Sequence, residues 1–286
     1  MSPRIDAHQH FWKLARGDYR WLTPALAPLY RDFGPQDLAP LRERHGIDGT
    51  VLVQAADSVA ETEYMLALAD ADPSILGVVG WVDFEARDAA DTLDRLARHK
   101  KLVGVRPMIQ DIADERWMLR DNLSAAFSAL VELDLAFDAL VKPQHLPHLL
   151  VLVERHPELR FVVDHGAKPC ISAGNAWGGL REWRDHLRAL AAHPRSACKL
   201  SGLVTEASPA WTDADIAPFA HTLVELFTPQ RTLWGSDWPV VELAGGYSRW
   251  HESAHALFSG LHPGEQRALF GAAAVDFYGL SWTASS

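Results

Sequence analysis

The sequence predicts a single-domain α/β fold over residues 1–286, a TIM-like (β/α)8 barrel, and three observations lead there. Short β-branched apolar runs alternate with stretches of helical periodicity, the pattern of a parallel sheet covered by helices. Eight such runs occur in 286 residues, and a barrel of this kind takes roughly 250 residues. Neither GxGxxG nor GxxxxGK[ST] occurs, although an open doubly wound sheet usually carries such a phosphate loop after its first strand.

The runs are 5–11, 49–55, 75–82, 102–109, 135–141, 160–165, 197–201 and 232–236. Between the third and fourth, Ala90, Leu93, Leu96 and Ala97 make one apolar helical stripe. Between the fifth and sixth, Leu146, Leu149, Leu150 and Val153 stand at i, i+3, i+4 and i+7. Pro263 with Gly264 and Glu265 opens the last helix, and Gly279 after Tyr278 closes it. The irregular stretches 12–33, 110–120, 168–179 and 240–249 all follow strands. In a barrel they crowd the C-terminal face, where such enzymes build their active sites.

The formal net charge is -10, so binding to nucleic acid or an anionic membrane would require a local basic patch. None is visible: Arg42, Arg44 and His45, like residues 99–101, alternate with acids as solvated helix faces do. No segment approaches the roughly 20 apolar residues of a membrane span, and the start of the chain lacks a signal-peptide pattern. A cytoplasmic protein is expected, with Cys170 and Cys198 as ordinary buried thiols. Monomer or homo-oligomer is left open.

Three strand ends carry chemistry. Asp6-Ala7-His8-Gln9-His10 sets two histidines two residues apart, which in a strand project the same way. Val162-Val163-Asp164-His165-Gly166 ends a second apolar run in an acid and a histidine, and Leu233-Trp234-Gly235-Ser236-Asp237 ends a third in an acid that is costly to bury unpartnered. His8, His10, His165 and Asp237 converge either as metal ligands or as a hydrogen-bonded acid-base cluster. Ser236 points away from Asp237's side and reads as structural, and there is no Gly-x-Ser-x-Gly elbow.

These motifs resemble the amidohydrolase superfamily, in particular its "amidohydrolase 2" branch of sugar-acid lactonases of the L-fuconolactonase and L-rhamnonolactonase type. The resemblance rests on Ile5-Asp6-Ala7-His8-Gln9-His10-Phe11-Trp12, on Asp164 to Pro169 and on Gly235-Ser236-Asp237-Trp238-Pro239, and spans nearly the whole chain. It implies a distorted barrel that hydrolyses a lactone ester. Binuclear members place a carboxylated Lys or a Glu at the end of the fourth strand, where this chain has Arg106 and Met108, and a histidine on the fifth, which here reads Ala136-Phe137-Asp138-Ala139. The expectation is therefore at most one divalent ion, zinc, on His8, His10 and Asp237, and related lactonases also work without a required metal.

In that reading Asp237 takes a proton from the attacking water, while His165 and the His8/His10 pair stabilise the oxyanion. Trp12, Trp81 and Trp238 follow strand ends and offer faces to a sugar ring, as do Trp177 and Tyr247 in the loops. Gln54 and Arg106 are placed to bind hydroxyls or the ring carbonyl. Lys199, inside an apolar strand, either touches substrate, pairs with Asp164 or Asp237, or snorkels outward. The rival readings are a metal-dependent amide or deamination hydrolase, a decarboxylase of the same superfamily, and a sugar-acid-binding barrel without turnover.

Overall fold

In the computed structural model, which describes residues 2–282, all eight apolar runs form strands. They are β1 (Ile5–Gln9), β2 (Gly49–Val53), β3 (Ile75–Gly80), β4 (Leu102–Val105), β5 (Ala136–Ala139), β6 (Phe161–Val163), β7 (Ser196–Leu200) and β8 (Thr232–Trp234). A helix follows each in turn: α1 (Pro35–His45), α2 (Val59–Ala71), α3 (Ala89–Ala97), α4 (Ser124–Glu132), α5 (Leu146–Arg155), α6 (Leu180–Ala191), α7 (Asp213–Phe227) and α8 (Gly246–Leu257). The sheet order is β1 to β8 in sequence, every neighbour parallel. This is the (β/α)8 barrel that the alternation predicts.

The distortion lies at the seam where β8 returns to β1. There the ladder reduces to a parallel bridge between Gln9 and Trp238, with Trp238 C=O accepting from His10 N–H at 2.7 Å and His8 C=O from Asp237 N–H at 2.8 Å. The buried Asp6 carboxylate fills the gap, accepting from the Ser236 N–H at 2.8 Å and the His8 N–H at 3.3 Å. Relative to β2, β1 carries one extra residue between Asp6 and Gln9. A bulge of this kind re-aims side chains, and it brings both Ala7 and His8 to the barrel interior.

Two apolar layers hold the barrel. Outward side chains such as Leu52, Phe137, Phe161 and Trp234 pack under the helices, while Val51, Val79, Val162 and Leu233 fill the interior. The bottom is closed by the C-terminal segment. It begins at Pro263, as expected, in α9 (Pro263–Arg267), and ends in α10 (Ala273–Tyr278) against Gly279 at φ +63. Between them a π turn (Ala268–Ala272) interrupts what the sequence presents as one helix. Ala273, Ala274 and Tyr278 join the interior cluster from below. Cys198 is buried as expected; Cys170 is exposed, because it lies in the loop after β6 rather than in a strand. Among the described residues no helix is long and apolar enough to cross a membrane.

Candidate active site

The strand ends bring the four predicted residues together. The Nε2 atoms of His8 and His10 lie 3.2 Å apart. Asp237 Oδ1 is 3.2 Å from His10 Nε2, 3.7 Å from His8 Nε2 and 3.9 Å from His165 Nε2. His165 and Asp237 both stand in the left-handed region, at φ +54 and +57, where a non-glycine residue persists only if its surroundings hold it. Two glycines give the histidines room. A Cβ on Gly202, itself at φ +60, would meet His165 Nδ1 at 2.4 Å, and one on Gly235 would meet His8 Cβ at 2.7 Å.

Each imidazole has a distinct backing. His10 Nδ1 donates to the Val53 carbonyl at 2.8 Å, and His165 Nδ1 shares a hydrogen bond with Ser201 Oγ at 2.9 Å. His8 Nδ1 meets the Lys199 ammonium at 3.1 Å. Burial, with the positive charge of Lys199, lowers the basicity of His8, and burial brings His165 down to about 4 despite Asp237 and Asp164 nearby. Burial opposes ionisation of Asp237, but the rings of His165 and His10 outweigh it and hold the carboxyl at about 2. At neutral pH Asp237 is therefore a carboxylate and His8 and His165 are neutral rings.

Beneath it lies a buried charge network. Lys199 donates to Asp138 Oδ2 at 2.5 Å and lies 3.0 Å from Asp164 Oδ1. Arg106 donates to Asp164 Oδ2 at 3.2 Å and to the Gln54 carbonyl, and Tyr278 from α10 donates to Asp138 Oδ2 at 2.7 Å. Burial works against the charge on Asp164, yet Lys199 and Arg106 overcome it and keep that carboxyl below its usual range.

Above the cluster opens a cavity of about 250 Å³ whose polar wall includes His10, Arg106, His165, Lys168 and Asp237, and which Trp21 also lines. A second cavity of about 340 Å³ adjoins it, sharing Trp21, Ala55, Met108 and Asp111. Trp81 belongs to the second cavity and not to the first.

Four expected substrate contacts do not reach either wall. Trp12 is fully buried because the loop after β1 folds back in a Trp12/Phe33 bridge, and its indole donates to the Arg31 carbonyl at 2.8 Å. Trp238 packs edge-on against Phe11 and Phe33. Gln54 is buried and donates to the Arg106 carbonyl at 2.7 Å. Lys199 spends its donors on the network below.

Of the loop aromatics, Trp177 lines a separate cavity shared with Lys168, and Tyr247 is buried beside Trp234. Sequence reasoning missed Trp21 and Lys168 as wall residues. It also missed Asp138, whose signal was a lone acid in an apolar strand.

The donors are spaced for a single divalent ion. Ligand atoms of His8, His165 and Asp237 lie within 4.8 Å of one another, and the His8, His10 and Asp237 triangle has edges of 3.2, 3.2 and 3.7 Å. A tetrahedral zinc site with bonds near 2.0–2.1 Å has edges of about 3.3 Å. His10 and His165 also have oxygen partners of the kind that orient ligating imidazoles.

A parallel barrel whose strand ends gather three histidines and an aspartate over a cavity is the frame of an amidohydrolase. The amidohydrolase family model matches residues 5–280, and the chain belongs to that family. It is similar to L-fucono-1,5-lactonase of Burkholderia ambifaria, 44% identical over 284 residues that cover 97% of this chain and 96% of that protein. It is also similar to L-fucono-1,5-lactonase of Burkholderia multivorans, at 36% identity over 97% of this chain and 96% of that one. A crystal structure of a Burkholderia multivorans amidohydrolase with bound zinc superposes at a TM-score of 0.91 and 35% identity, covering 98% of this chain and 100% of that one.

Proposed function

We propose that this protein hydrolyses a sugar-acid lactone, L-fucono-1,5-lactone or a similar deoxy-aldonolactone. The observation that carries the reading is an ionised, buried carboxylate, Asp237, on the wall of a cavity of about 250 Å³, in a chain 44% identical to a lactonase of that name over nearly its whole length.

In the mechanism we infer, Asp237 accepts a proton from water as that water's oxygen attacks the lactone carbonyl. Charge then builds on the carbonyl oxygen. His165, Arg106 and Lys168 face the cavity and are the groups able to offset it. For His165 this uses the tautomer in which Ser201 Oγ–H donates to Nδ1 and Nε2–H points to the cavity. Collapse of the tetrahedral intermediate breaks the ring C–O bond, and the proton held by Asp237 passes to the leaving alkoxide, giving the open hydroxy acid. His8 is fully buried, beneath the cavity rather than on its wall, so its part is to support His10 and Asp237.

A divalent ion such as zinc, held by His8, His10 and Asp237, would add Lewis-acid polarisation of the carbonyl when bound. The proton steps belong to the side chains above. The two unpaired thiols support action in a reducing compartment, the cytoplasm.

The test is a panel of aldonolactones with acid release followed by a pH indicator, run beside simple amides and aromatic carboxylic acids. Turnover of a 1,5-lactone of a 6-deoxy sugar acid is expected. No lactone turnover, alongside ammonia or carbon dioxide release from the other substrates, overturns the reading.

A further inference from the structure

We propose that Lys199 is a positioning residue that fixes the tautomer of His8, making His8 an Nε2–H donor toward the site and weakening the site's hold on a divalent ion. Lysine has three donors and no lone pair to offer, and Lys199 meets three partners: Asp138 Oδ2 at 2.5 Å, Asp164 Oδ1 at 3.0 Å and His8 Nδ1 at 3.1 Å. His8 Nδ1 must therefore be the acceptor, and the proton of the neutral ring sits on Nε2. That atom lies 3.2 Å from His10 Nε2, which in the neutral ring is the acceptor because His10 Nδ1 donates to the Val53 carbonyl, and which also stands 3.2 Å from Asp237 Oδ1. Lys199, His8, His10 and Val53 thus form a chain in which every hydrogen bond runs the same way, and Asp237 Oδ1 stands 3.7 Å from His8 Nε2.

The neighbours of His8 make Lys199 decisive. Arg106 Nη1, 3.3 Å from Nε2, favours the opposite tautomer, and so does Asp164 Oδ1, 3.8 Å from Nδ1. Without the ammonium, both draw the proton to Nδ1.

The consequence concerns metal. A ligating histidine gives the lone pair of one nitrogen to the ion and donates the other N–H to a carboxylate or carbonyl. For His8 to ligate through Nε2, its proton must sit on Nδ1, where it faces the Lys199 ammonium as donor against donor. The ligand spacing suits an ion while this backing resists one. Lys199 itself is held from two sides of the barrel. Asp138 on β5 also accepts from Tyr278 of α10 at 2.7 Å, and Asp164 after β6 also pairs with Arg106.

The inference rests on the proposed lactonase only for its bearing on catalysis, and its test needs no turnover. In chelator-treated protein labelled with 15N-histidine, two-bond proton–nitrogen correlation reads the tautomer of each ring, with the His8 pattern assigned by its loss in His8→Asn. The expected pattern is Nε2–H for His8 and Nδ1–H for His10; Nδ1–H on His8 overturns the proposal.

The second measurement uses the pair Asp138→Asn with Lys199→Met, which removes one charge of each sign and leaves Arg106 with Asp164. Expected are a shift of His8 toward Nδ1–H and zinc affinity, by competition with a chromophoric chelator, at least about tenfold tighter than wild type. A folded double variant with unchanged tautomer and zinc affinity overturns the proposal. If the pair does not fold, the wild-type spectrum alone decides.

Discussion

Replacing Asp237 with Asn separates the base from the frame that holds it. The side chain is nearly isosteric, and the Asp237 N–H to His8 carbonyl bond that seats the residue belongs to the backbone. The new amide also keeps a partner, since it can meet His10 Nε2 at 3.2 Å with either its oxygen or its NH2 group. Folding stability should therefore change little, and substrate binding should survive.

What is lost is the proton acceptor. General-base assistance supplies about 10²–10⁴-fold, equivalent to about 3–5 kcal/mol of barrier. The decrease should fall on kcat, because the proton moves to the carboxylate only as the water attacks. Initial rates of acid release at neutral pH, corrected for spontaneous lactone hydrolysis, measure it. Binding of a non-hydrolysable polyol analogue, by calorimetry, provides the control. A variant within tenfold of the wild-type kcat would refute the assignment of Asp237 as base.

Two further outcomes follow from the titration of buried groups. With Asp237 held at about 2 and His165 at about 4, kcat should stay flat from about pH 8 down to about pH 5. A rate that halves near pH 6 would point to a different base. His251 is nearly buried, both its ring nitrogens lack a partner among the described residues, and burial with the neighbouring His255 lowers it to about 3. Its folded value lies below the unfolded value of about 6.5, so the unfolded chain takes up a proton that the folded state refuses, and stability from this group is lost as pH falls below about 6.5. His251→Phe keeps the ring contacts with His45, Trp234 and Tyr247 and removes two unmade hydrogen bonds, each costing about 1–3 kcal/mol. Thermal melts should show the variant at least as stable as wild type at neutral pH and less sensitive to acid. An equal or steeper loss of Tm toward pH 5 in the variant would sink this account.

The barrel was legible because strand burial writes itself into short apolar runs, and the eight observed strands all fall within or overlap the eight runs. His8, His10, His165 and Asp237 were legible for a related reason: each interrupts apolar sequence where a strand ends. The partners of Lys199 were harder to read. Alternation says that a lysine in β7 faces in or out, but the heights at which Asp138 of β5 and Asp164 of β6 meet it depend on strand stagger, which no local pattern records. The tryptophans failed as markers for a similar reason. Indole is as suited to the core as to a sugar face, and the fold-back of the loop after β1 that buries Trp12 and presents Trp21 depends on the Trp12/Phe33 pairing across more than twenty residues. The bulge in β1 was also invisible, although it decides that Ala7 and His8 share the interior.

The charges inside the barrel explain why the base should be Asp237 and not another of the acids close by. Asp138, Asp164 and Asp237 all sit within the upper barrel. Asp138 is neutralised by Lys199 and also binds the Tyr278 hydroxyl; Asp164 is shared by Lys199 and Arg106. A proton arriving on either would break a buried ion pair, which typically costs several kcal/mol. Asp237 has imidazoles around it, with no guanidinium or ammonium within 4 Å among the described residues. It is also the carboxylate of the three that faces the cavity. Two cations thus balance two carboxylates below, and the third remains charged on the cavity wall, placed to take a proton from the attacking water and give it back.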